Sequence, residues 1–140
     1  MGGDAWTATG PYQPDLAAAF RQAQDEELAE NDHGFPGRTI DDLWTDPAWH
    51  EYIFTGGTGS VLDFFAFISG ENAQNEGGKM RVLTDAEVDW APSGKPTHAE
   101  WKDALRNPGL FDLERAEGNC TVLYRDGQPV EIAYWGITAD

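Results

Sequence analysis

The sequence predicts an α+β domain in which helical N-terminal and central segments pack on a small antiparallel sheet built around a C-terminal β-hairpin. Two runs near the C-terminus, CTVLY (120–124) and VEIAYWGI (130–137), are rich in β-branched and aromatic residues and are joined by RDGQP. Asp126-Gly127 between them is a strong hairpin signal, because both positions of the favoured tight turn need a positive φ. Upstream, pairs of a Ser or Thr with an acid three residues on recur at the starts of apolar segments, the spacing of a helix capping box. The length of 140 residues and a hydrophobic content of 40%, with 6 Trp, 4 Tyr and 7 Phe, suit a single core.

Residues 1–13 are rich in Gly and Thr and lack periodicity, so they are expected to form a flexible N-terminal arm, with the single domain spanning 14–140. A first helix is predicted from Pro14 to about Asp32. It carries Leu16, Ala17, Phe20 and Leu28 on a buried stripe and stops at Gly34. Thr39 with Asp42 opens a short helix, and Asp46-Pro47 opens another that buries Trp49 and Ile53 before Gly56-Gly57 ends it. Residues 60–68 (SVLDFFAFI) satisfy both templates. The i, i+3, i+4, i+7 spacing of Val61, Phe64, Phe65 and Ile68 favours helix, while their aromatic and β-branched character favours strand. Helix is the expectation here.

MRVL (80–83) is expected as the third strand, followed by a brief helix opened by Thr84 and Glu87. Thr97 and Glu100 form the clearest capping box, heading a helix with Trp101 and Leu105 on one face and a stop at Asn107-Pro108-Gly109. Val122, Tyr124, Ile132 and Tyr134 are placed on one packed face of the hairpin. Trp44, Trp49, Trp101 and Trp135 are assigned to the core, and Trp6 and Trp90, in or beside loops, to exposed contacts.

The least ordinary property is charge: 25 acidic residues against 9 basic ones give a net −16. Residues 1–63 hold 12 of the acids and only two bases, Arg21 and Arg38. Such a field repels nucleic acid and anionic membrane surfaces, which are bound through Lys and Arg, and it attracts a basic protein. Asp25, Glu26, Glu27 and Glu30 crowd the C-terminal half of the first helix, where the helix dipole disfavours negative charge. With Asp32 and Asp41 they are the expected partner-binding residues. Cys120 is the only cysteine, no leader or spanning segment is legible, and the cytoplasm is the expected compartment.

No catalytic set emerges. Cys120 lies inside a strand with no His identifiable beside it. Trp49-His50-Glu51 and Thr97-His98-Ala99-Glu100 each pair an imidazole with a carboxylate, but no two His are spaced as in H-E-x-x-H, and no P-C-x-x-C follows His98. Asp41, Asp42 and Asp46 lack the pattern of a calcium loop. The Gly-rich turn 55–60 (TGGTGS) could cradle an anion but has no phosphate-loop Lys. No cofactor and no metal ion are expected. The chain thus reads as a small acidic interaction protein, an inhibitor, immunity-type or chaperone-like protein for a basic partner. The alternative is an enzyme or small-ligand binder with a pocket near turn 55–60 and the hairpin.

Overall fold

The computed structural model describes residues 3–106 and 108–139. Its element order is β1 (Ala5–Pro11), α1 (Leu16–Glu30), α2 (Ile40–Leu43), α3 (Pro47–Thr55), β2 (Ala66–Ile68), β3 (Lys79–Val82), α4 (His98–Ala104), β4 (Gly118–Arg125) and β5 (Gln128–Ile137), with single 3₁₀ turns at Val61–Asp63, Asp85–Glu87 and Pro108–Phe111. The five strands form one sheet in the order β1-β5-β4-β3-β2. The α+β class is as expected.

The sheet is mixed, which corrects the expected antiparallel arrangement. β4 and β5 form the expected antiparallel hairpin, and Asp126 (φ 53°) with Gly127 (φ 78°) makes the tight turn between them. β3 is the third strand along but runs parallel to β4, and β2 runs parallel to β3. The reason lies in the intervening chain. Residues between β3 and β4 cross one face of the sheet through α4, and a chain that crosses a face re-enters parallel to the strand it left.

The N-terminal segment is also corrected. Residues 5–11 are not a loose arm but strand β1, paired antiparallel with β5 from Ala5 opposite Ile137 to Pro11 opposite Glu131. Trp6, Ala8 and Gly10 alternate with the exposed Ala5, Thr7, Thr9 and Pro11, so Trp6 lies buried against Phe64 and is not an exposed contact. Residues 60–68 depart from the helical expectation as well. Ser60 does cap a turn, accepting from Leu62 N–H, but the turn is a single 3₁₀ loop and β2 follows. Aromatic residues prefer a pleated, half-buried surface, and here that preference outweighs the helical spacing. Phe64 is fully buried whereas its neighbour Phe65 stands exposed.

The other helix starts follow their caps. Thr39 accepts from Asp42 N–H and Asp46 from Ala48 N–H, while Thr97 and Glu100 close a reciprocal capping box. α1 begins one residue after Asp15, whose carboxylate accepts from Ala18 N–H, so Pro14 precedes the helix and is not its first residue. Its buried stripe is Ala19, Phe20, Gln24 and Leu28; Ala17 faces solvent. The expected stop of α4 at Asn107 lies outside the described residues.

Both faces of the β4–β5 pair are covered. On one, α1 packs Ala19 and Phe20 against Cys120, Ile132 and Tyr134, with Phe20 at 5.6 Å from the Tyr134 ring. On the other, Trp101 of α4 covers Leu123, Ala133 and Trp135, and the Trp135 indole N–H donates to Leu110 O at 2.9 Å. A third cluster, with Leu43, Trp49, Ile53 and Leu62 fully buried, joins α2 and α3 to the end of α1. Trp44 and Tyr124 are only half-buried. Gln24 ties α1 to the sheet, its amide donating to Val61 O and Phe64 O at 3.0 and 2.9 Å.

Because β5 hydrogen-bonds to a strand on each side and buries side chains on both faces, a chain ending at Arg125 is expected to lose cooperative unfolding. Urea denaturation followed by tryptophan fluorescence checks this, and a truncated chain that still melts sharply would place the core elsewhere.

Candidate functional site

Among the described residues the acids in the C-terminal half of α1 have no basic side chain paired with them. No acidic residue occupies the first turn of α1 and no basic residue its last, so the helix carries its charge at the end where the dipole opposes it. Asp25, Glu26 and Glu30 are exposed and Glu27 is half-buried. Among the described residues none of the four makes an ion pair; the Gln22 amide donates to the Glu26 carboxylate at 3.0 Å. Glu26 and Glu30 stand one helical turn apart, a like-charge arrangement that costs about 0.2–0.5 kcal/mol in an isolated helix.

The six expected partner-binding residues do not form one cluster. Glu26, Glu27 and Glu30 line a groove between α1 and β1, while Asp25 and Asp32 line the opposite flank of α1 beside Leu28 and Phe35. Asp32 accepts from Gly34 N–H at 3.0 Å and so supports the turn after the helix. Asp41 pairs with Arg21 at 2.9 Å, both side chains exposed. Arg38, the other base of this half, is held by Asp42 and Asp46, whose hydrogen bonds raise its pKa above the ordinary value.

The groove encloses about 140 Å³. Ala8, Thr9 and Gly10 of β1 form one wall and the three glutamates of α1 the other. Tyr134, fully buried, also borders it, and its hydroxyl, closed off from solvent, has no hydrogen-bond partner among the described residues. Burial raises the pKa of that hydroxyl, so it remains an O–H with free acceptor capacity at neutral pH. Gly10 lets β1 pack closely on Tyr134 and α1. A Cβ there would meet the Tyr134 ring at 3.1 Å and the Ala23 methyl at 3.3 Å.

The Gly-rich turn does cradle an anion, and the anion is the chain's own Asp63. Its Oδ1 accepts from the Thr58 N–H at 2.7 Å and the Thr58 hydroxyl at 2.6 Å, and its Oδ2 from the Ala139 N–H at 3.3 Å. Gly57 (φ 69°) brings the turn against this carboxylate. Desolvation raises the Asp63 pKa, and these hydrogen bonds oppose the shift. Cys120 is buried, and desolvation raises its pKa far from thiolate formation. His98 lies 3.4 Å from Glu131, and Glu100 serves the α4 cap. Among the described residues no three His, Cys, Asp or Glu are grouped to share a metal ion. Among the described residues no helix is long and apolar enough to cross a membrane.

One further charged group is buried. Arg81 of β3 forms two parallel 2.8 Å bonds to the Glu87 carboxylate and donates twice more to Asn75 Oδ1. The backbone O of Arg81 accepts from Asn119 of β4. This fork holds the loop 69–78 and the turn at Thr84–Glu87 to the sheet, a bidentate geometry that Lys would not reproduce.

Comparison with protein-family models, curated proteins and solved structures finds no match, so the site is judged on its own chemistry. Sequence reasoning singled out the α1 acids but missed Gly10, Tyr134 Oη and the Arg81–Glu87 fork. The alternation of Trp6, Ala8 and Gly10 with Thr7 and Thr9 was the available signal for the wall of the groove. Nothing in the sequence pairs Arg81 with Asn75.

The Arg81 fork holds the Glu87 pKa at about 2, below its ordinary 4.5. A depressed carboxylate pKa contributes stability that is present above the unfolded value and lost as pH falls through the folded one. Glu87→Gln is therefore expected to lower stability near neutral pH, with the difference from wild type shrinking as pH drops from about 4.5 towards 2. Urea midpoints across that range check it; a difference independent of pH would contradict the fork's electrostatic role.

Proposed function

We propose that the protein is a small acidic interaction protein that captures a basic protein partner, in the manner of an inhibitor, immunity-type or chaperone-like protein. The observation that carries this is the set of unneutralised carboxylates on α1, placed at the end of the helix where they cost stability. A carboxylate that served folding would sit in the first turn or pair with a base, and these do neither. Complementary charge gives such a surface fast association and partner choice. The ligand-binding alternative has less support. The donors of turn 55–60 are taken up by Asp63, and Cys120 is buried away from any base. With one buried cysteine and no disulfide to sustain, the cytoplasm suits the protein.

The experiment is capture of a partner from the native host at low and moderate salt, with identification of the eluted protein. A basic protein released by added salt supports the proposal, and a co-purifying small metabolite with no protein partner opposes it. Duplex DNA is expected not to bind at physiological salt in an electrophoretic shift assay, since the phosphate-neutralising charge is lacking.

Replacing Asp25, Glu26, Glu27 and Glu30 together by Asn or Gln separates folding from binding. The melting temperature is expected to hold or rise slightly, because adverse dipole and like-charge terms are removed. Association with the captured partner is expected to slow and to lose most of its salt dependence, read by stopped-flow or surface resonance. An unchanged association rate across ionic strengths would reduce the acids to a solvated helix face.

A further inference from the structure

We propose that the aromatic surface made by Trp44, Phe54 and Phe65 receives an arginine side chain of the basic partner. The inference rests on the interaction reading above and gives it a contact point outside α1. Phe54 and Phe65 are the large hydrophobic side chains left exposed among the described residues, at 45% and 48%. Apolar residues exposed singly are ordinary on a protein surface, but these two come from different segments of the chain and stand against one ring. The Trp44 ring lies 6.4 Å from Phe54 and, edge to face, 5.5 Å from Phe65. His50, one helical turn before Phe54 on α3, meets the same indole at 5.2 Å and donates from Nε2 to Trp44 O at 2.7 Å.

Phe65 is held in place by its own backbone surroundings. Its N–H donates to Gly78 O at 2.9 Å, and its ring lies over Gly78 (φ 82°), where a Cβ would overlap it. The three core clusters include neither Phe54 nor Phe65, so these rings do not serve the interior. Charge selects what covers them. A net −16 repels both a second copy of the chain and an anionic lipid surface, and it attracts a cationic partner. The bases nearest to these rings in the chain are already engaged, Arg38 by Asp42 and Asp46 and Lys79 by Glu76. Glu51, exposed and next to His50 on α3, makes no ion pair among the described residues. A cation that also presents an apolar plane satisfies the rings and the carboxylate together. Guanidinium is such a group: it stacks on aromatic faces and directs its N–H fork to carboxylate oxygens. A lysine ammonium is a compact, strongly hydrated charge and gains less from the rings.

The test titrates the whole chain with three capped pentapeptides in which glycine alternates with arginine, lysine or the uncharged citrulline, followed by backbone NMR at low ionic strength. The arginine peptide is expected to shift the amides of Trp44, Phe54 and Phe65 and to bind about threefold more tightly than the lysine peptide, with the citrulline peptide weakest. Phe54→Ser/Phe65→Ser is expected to erase the preference for arginine over lysine while the chain keeps a cooperative melt, since both rings are half in solvent. Glu51→Gln, at an exposed position remote from the core, is expected to weaken the arginine and lysine peptides alike. Arginine-peptide binding that shifts only the α1 acids, or that ignores both variants, overturns the aromatic site while leaving the acidic face of α1 intact. Sedimentation equilibrium is expected to find a monomer; a dimer that the double serine variant dissolves would assign the rings to a second copy and overturn the proposal. No binding by either cationic peptide overturns both this site and the interaction reading.

Discussion

Tyr134 points toward α1 and Trp135, the next residue, toward α4, and this double burial of β5 governs the arrangement of everything else. A strand with one solvated face needs one covering layer, whereas β5 and the neighbouring part of β4 need two. The chain supplies α1 before the sheet is complete and α4 between β3 and β4. The second of these forces the crossover that makes β3 parallel to β4. The mixed sheet is thus a consequence of where the second cover is inserted. It does not reflect any strand preference of MRVL.

The same demand shapes the acidic side. α1 must lay Ala19, Phe20, Gln24 and Leu28 on the sheet and on the 3₁₀ turn at Val61–Asp63, which leaves its other positions to solvent. Those positions are filled with acids at the C-terminal end and with alanine near the start. Charge repulsion within such a surface lowers the stability of the compact state. The core offsets it, because three clusters together bury Trp49, Trp101 and Trp135 completely. Stability and surface chemistry are separable here: the residues that fix α1 in place and the residues that charge it are different sets.

Much of the local structure was legible because it is written in short-range chemistry. Thr39, Asp46, Ser60 and Thr97 each cap the turn they were expected to open, and Asp126-Gly127 makes the hairpin. What was not legible depends on distant partners. The pairing of Ala5–Pro11 joins segments separated by most of the chain, and alternation in a Gly- and Thr-rich stretch is weak without its partner in view. The strand at Ala66–Ile68 competes with a helical spacing that was equally satisfied, and its parallel neighbour decided the matter. For the site, the α1 acids were visible as an electrostatic anomaly. Their division into a groove-lining set and an opposite flank was not, because it depends on where β1 docks. That the Gly-rich turn could cradle an anion was legible, but that Asp63 supplies the carboxylate was not, since Asp63 reaches the turn only when the chain turns back.

The wall of the groove that faces α1 is the first strand of the chain, and the strand it pairs with is the last. Closing a loop of that length carries a high entropic cost before any contact compensates it, and sheets rich in such distant pairings assemble slowly. During synthesis Ala5–Pro11 emerges long before Gln128–Ile137 exists to receive it. The groove is therefore assembled only when the chain's two ends have met, and intermediates that already hold α1 and its acids lack it. The cleft between α1 and β1 is thus a mark of the completed sheet, present in finished molecules and missing from partly formed ones.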